Sequence, residues 1–231
     1  MVDSERSSIT VADQTFSNAT TGPADWLDKT FFKVEQPNAI EVIYNGTDST
    51  NSWKLTKTSD IADWKLDGEL PDGKELDTAQ APTSALSNPA FNDLANDAEK
   101  AALDKNATQI KINTSEGFEY ALKVGDSTDG SDKIVSVAIT ANFPEKRTPA
   151  ENESDEDKKK LDEEWATAQK TLQDKLASEQ KFTQHAYRVS SFTVDSILKK
   201  RSELIKDEGN GAITPPPGGN LPIPFQNLPP Q

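Results

Sequence analysis

The tripeptide Trp-Lys-Leu occurs twice within fifteen residues, at 53–55 and 64–66, in a chain with four tryptophans. Alternate side chains of an extended strand point to opposite faces, so this pattern sends Trp and Leu to one side and Lys to the other. Such a segment fits a sheet with one buried and one wet face. Upstream, Ile40, Val42 and Tyr44 alternate with Glu41 and Ile43, and the polar stretch NGTDSTNS ends the run. The first Trp-Lys-Leu therefore reads as the return strand of a hairpin begun at Ile40. The second copy predicts a further strand, with Trp64 and Leu66 on the same face as Trp53 and Leu55. Each of these side chains contributes about 1.5 to 3 kcal/mol when fully buried.

The same grammar returns downstream. Ile110 and Ile112, a Ser-Glu-Gly turn, and Phe118, Tyr120 and Leu122 form a second hairpin signal, and 134–143 is the strongest strand signal in the chain. Each stretch reads as hairpin, loop, third strand, which fits either a degenerate internal repeat or a plain meander. Ordered structure is expected to begin at the apolar knot of Trp26, Leu27, Phe31 and Phe32. Between the two hairpins, Asp77 reads as an N-cap ahead of Ala79, Ala85, Leu86, Phe91 and Leu94. Pro82 and Pro89 interrupt that run, predicting short or kinked helical pieces.

After a charged, proline-flanked segment, Ser154 and Asp157 resemble a capping box. Leu161, Trp165, Ala168, Leu172 and Leu176 then follow at spacings of four, three, four and four, a narrow apolar stripe on a charged rod. This helix either lies on the sheet or protrudes as a partner-docking arm, with Trp165, Leu161 and Leu172 as contact candidates. QHAYRVSSF reads as one more strand, and TVDSILKKRSELI as a closing helix with Thr193 as N-cap and Ile197, Leu198 and Ile205 inward. The expected class is α+β: a mainly antiparallel sheet of repeated hairpins, flanking helices and one long amphipathic insertion helix. The boundaries are a flexible arm over 1–23, the domain over 24–206 with its insertion around 154–180, and a Pro/Gly-rich tail over 207–231.

Composition narrows the function. With 39 acidic and 25 basic residues the formal charge is -14, a field that repels nucleic acid. The absence of cysteine removes thiol chemistry and the usual structural zinc sites. The one histidine, His185, reads as structural, and no phosphate loop, nucleophile elbow or dinucleotide fingerprint is present. In DSTDGSD, at 126–132, glycine falls at the fifth position of a calcium loop and Val137 at the twelfth, so the stretch reads as a surface turn. Asn-x-Ser/Thr triplets at Asn18, Asn45, Asn106, Asn113 and Asn152 are expected by chance at this Asn and Thr content. No cofactor, metal or catalytic residue is predicted.

Three stretches, ADWLDKTFF followed by IEVIYN and NSWKLTK, GFEYALKVG, and YRVSSFTVDSILKKRSELI, resemble the bacterial domain-of-unknown-function family four-three-four-zero. That family occurs beside auxiliary components of gliding-motility-type ABC transport systems. The resemblance implies a repetitive α+β protein held outside the cytoplasm behind a membrane anchor. It implies envelope or ABC transport components as protein partners, and no assigned catalytic residues. The acidic helix near Leu161 looks like an insertion, and VADQTF like the tail of an earlier repeat. The expected function is a non-catalytic envelope interaction or scaffold module. The alternative is an envelope glycan-binding or carboxylate-dependent hydrolytic domain, which needs a cleft lined by exposed indoles.

Overall fold

The computed structural model describes residues 27–149 and 153–209. Its centre is an eight-stranded antiparallel sheet built outward from two adjacent strands. In chain order the strands are β1 (Pro37–Ile43), β2 (Trp53–Thr56), β3 (Lys65–Leu66), β4 (Lys74–Leu76) and β5 (Asp93–Leu94). Then come β6 (Thr108–Thr114), β7 (Phe118–Asp126), β8 (Asp132–Ala141), β9 (Ala186–Ser190) and β10 (Ile205–Asp207). The sheet order is β3-β2-β1-β6-β7-β8-β9-β5, so both outermost strands are two residues long, while β4 and β10 pair separately. The helices are α1 (Asp97–Asn106), α2 (Asp155–Gln180) and the single turn α3 (Ser191–Val194).

The expected α+β class with a mostly antiparallel sheet is what the chain adopts. Register explains why the two hairpin signals look alike. On one side of β1, Ile40 opposes Leu55 and Val42 opposes Trp53; across its other edge β1 pairs with β6, Glu41 opposing Lys111. In the second meander Ile110 opposes Leu122 and Ile112 opposes Tyr120. A half-turn about the Glu41–Lys111 pair therefore lays Trp53 and Leu55 on Tyr120 and Leu122. It also lays Leu66, opposite Leu55, on Val137, opposite Leu122. The apolar residues among these, with Tyr120, share one buried face, while Glu41 and Lys111 point the other way. The turn joining β6 to β7 needs its glycine: Gly117 has φ +90, and a Cβ there would sit 2.6 Å from the Asn142 carbonyl oxygen.

The core lies on that face, under a cover of short turns joined by the C-terminal half of α2. Phe31 makes ring contacts with Phe32, Phe91, Phe182 and Tyr187, and Leu86, Ile197 and Leu204 complete the cover. The opposite face is open except at one end. There α1 seats Leu103 among Ala95, Ala107, Ile134 and Ala186. Asn96 caps α1, and Glu99 returns its carboxylate to the Asn96 N–H at 3.0 Å. Glu99 is buried and also accepts from Arg188 at 2.8 Å. Burial alone would raise its pKa, but Arg188 and the Asn96 and Thr128 N–H groups outweigh that and hold it below the ordinary glutamate value.

Several expectations need correcting. Trp64 precedes β3 rather than lying in it; it is half-buried against the core, with the Lys57 ammonium 5.4 Å from its ring centre. Leu27 is also half-buried, and Trp26 lies outside the described residues. In place of the predicted helical pieces, the segment before α1 forms turns and the short strands β4 and β5: Asp77 caps a turn by accepting from the Ala79 N–H at 3.1 Å, and the helix forms later as α1. The closing helix is replaced by α3 and a 3-10 turn at Arg201–Leu204. The physical reason is tertiary. The Leu198 carbonyl accepts from the Tyr44 hydroxyl and the Lys199 carbonyl from the Trp53 indole N–H, so these acceptors serve the sheet instead of a helix.

Candidate functional site

The long helix α2 is the element that sequence reasoning marked for partner contact. Ser154 caps it, accepting from the Asp157 N–H at 3.1 Å, and Asp155, Glu156 and Asp157 place negative charge in its first turn, where the helix dipole favours it. At 26 residues it runs about 39 Å. Its apolar stripe divides in two. Leu172 and Leu176 pack on the main core, whereas Leu161 is 37% exposed, Ala168 is exposed, and Trp165 is half-buried outside that cluster. Of the three contact candidates, Leu172 is thus committed to packing, leaving Leu161 and Trp165 on the free half.

The anchored end is fixed by polar contacts. Glu179 is buried and accepts from the Tyr120 hydroxyl at 2.8 Å and from the Lys33 N–H at 3.0 Å. Burial first, and then the Glu179 carboxylate, push the Tyr120 phenol well above its usual range, so it stays a donor. Lys175 lies over the Phe118 ring at 4.8 Å and reaches Glu35 at 2.5 Å. That contact, made to the side chain, holds the Glu35 carboxyl below its ordinary value.

The free end has a different support. Arg147, in the segment after β8, grips Glu153 through two guanidinium nitrogens at 2.5 and 2.8 Å and reaches Asp162 at 2.8 Å. These contacts raise the Arg147 pKa, led by the hydrogen bond to Glu153. The exposed surface is laced by Lys160–Glu164 and Lys170–Asp174 pairs at i,i+4 spacing. The first half of α2 is therefore a helix stabilised by its cap, its charges and Arg147 instead of by the core.

A second feature is a polar cleft of about 420 Å³ at one end of the sheet, lined by Tyr44, Asn45, Asp48, Asn106, Asp126 and Lys133. Much of its lining is already paired: Lys133 with Asp126 at 2.6 Å, and the Asn45 amide with the Ala107 carbonyl at 2.6 Å. Sequence reasoning missed this cleft, because it joins residues from five separate segments. The 126–132 stretch is a surface turn, as expected, in which the Asp129 carboxylate accepts from the Ser127 and Ser131 hydroxyls and from the Ser131 N–H. These bonds, the first from Ser127, and Arg188 hold Asp129 well below the usual carboxylate range. His185 is exposed, edge-on to Tyr187 at 6.4 Å between ring centres. Trp53 is buried, with its indole N–H donating to the Lys199 carbonyl at 2.6 Å. Among the described residues no group of three or more His, Cys, Asp or Glu is placed to hold a metal ion, and no helix is long and apolar enough to cross a membrane.

Comparison with protein-family models, with curated proteins and with solved structures returns no match for this chain.

Proposed function

We propose that the protein is a non-catalytic interaction or scaffold module of the bacterial cell envelope, accessory to an ABC-type transport or gliding-type machine, with the free half of α2 as its contact surface. One observation carries this reading. The stripe that packs Leu172 and Leu176 on the core continues, in phase, through Trp165 and Leu161 with no core beneath them. Interfaces favour aromatic anchors ringed by polar groups, and Trp165 flanked by charged side chains has that composition. The envelope and the class of machine rest on the resemblance of the 24–32, 117–125 and 187–205 stretches to the family named above.

The test is site-specific photo-crosslinking in native cells. A crosslinking residue at Leu161 is expected to capture a discrete partner, while one at Glu163, on the opposite side of the helix, captures little. Equal capture from both positions, or capture from neither, removes the reading. Trp165→Ala is expected to weaken partner recovery without altering the unfolding midpoint.

A further inference from the structure

The geometry points to Asn106 as an acceptor for an N-linked glycan, donated by a lipid-pyrophosphate-linked oligosaccharide. Three of the five Asn-x-Ser/Thr triplets lie among the described residues, and the fold separates them. The Asn45 amide nitrogen, the atom that would be glycosylated, is spent on the Ala107 carbonyl at 2.6 Å. Asn113 sits inside β6, paired on both sides, and its triplet's Ser115 hydroxyl donates to the Gln36 side chain at 2.9 Å. The Asn106 side chain differs, although Thr108 of its triplet opens β6 opposite Val124. Asn106 is the last residue of α1, it is exposed, and neither its amide nor the Thr108 hydroxyl makes a side-chain hydrogen bond to any described residue. Helix ends fray at little cost, so Asn106 can leave the last turn of α1 while Ala107 stays buried and Thr108 stays paired with Val124 in β6.

A second observation picks out the same residue. Asp104 stands two positions ahead, so the segment reads Asp104-Lys105-Asn106-Ala107-Thr108; none of the other four triplets has an acid at that place. A carboxylate there offers a charge-assisted grip to an arginine of a bacterial-type transferase. Asp104 is exposed and held by Lys123 at 2.8 Å, a surface pair that exchanges readily. In the transfer, Asn106 Nδ2 bonds to the anomeric carbon of the first sugar. The bond from that carbon to the pyrophosphate oxygen breaks, the lipid pyrophosphate leaves with the electron pair, and one amide proton passes to a base on the transferase.

Modification in the native cell rests on the envelope reading, so acceptor competence is tested apart from it. The full chain, given a secretion leader, is expressed in bacteria carrying an oligosaccharyltransferase and its lipid-linked glycan, and glycopeptides are sequenced by mass spectrometry. The expected result is a single glycan on Asn106, lost in Asn106→Gln, largely lost in Asp104→Ala and unchanged in Asn113→Gln. An unmodified chain in cells that modify a control acceptor overturns the proposal, as does glycan on Asn45 or Asn113 with Asn106 bare. Fractionation of the native cell tests the envelope reading independently.

Discussion

The two halves of α2 carry one continuous stripe and have opposite fates. In the second half, Leu172 and Leu176 meet the core and Glu179 is buried against Tyr120 and Lys33; in the first, Leu161 and Trp165 meet no part of it. Both are helical, so helicity here does not depend on burial. A good cap, acids in the first turn and the Lys160–Glu164 pair keep the free half wound, while packing positions the anchored half. An amphipathic pattern thus reports which face is apolar, and says nothing of what lies opposite it.

The largest effect on this contrast is expected from Glu179→Ala. Removing its carboxylate leaves the Lys33 N–H without its acceptor and the Tyr120 hydroxyl with the Lys33 carbonyl alone, at 3.0 Å. A loss of about 2 to 3 kcal/mol in urea unfolding is expected, with most of it restored in Glu179→Gln. Next, Leu176→Ala should cost about 1 to 2 kcal/mol, below the range for a fully buried leucine because Leu176 is half-buried, while Leu161→Ala stays within about 0.5 kcal/mol. Equal costs at the two positions would erase the distinction.

A smaller effect concerns pH. The Glu35 carboxyl is held low by Lys175, so its contribution is present above the ordinary glutamate range and is lost as pH falls through the lowered value. Hydrogen exchange at 172–180 is expected to quicken in that window, and Lys175→Met should flatten the response. The smallest is Arg147→Ala. It should leave the unfolding midpoint nearly unchanged and speed exchange only over 155–162, where Arg147 holds Glu153 and Asp162.

Much of the sheet was legible because period-two alternation is local. Ile40, Val42, Trp53 and Leu55 announce a shared face without knowledge of the rest of the chain, and Ser154 announces the start of α2. The closing helix was misread because its decisive partners, Tyr44 and Trp53, lie about 150 residues upstream and take the Leu198 and Lys199 carbonyls. The signal for α1 is present in Asn96 and Glu99, three apart ahead of an alanine-rich run, but the apolar residues from Ala79 to Leu94 carry a competing helical pattern that Pro82 and Pro89 break into turns. Of the contact candidates, the stripe was readable, whereas the point at which it leaves the core depends on where β8 and the 3-10 turn at Lys181–Gln184 come to rest.

The outermost strands of the main sheet each offer two residues of ladder. A neighbouring molecule seeking to extend that sheet would find too few free amides and carbonyls to template a join. Concentrated solutions of the chain should therefore resist fibril growth even though its interior strands, taken alone, have the composition of sticky peptides.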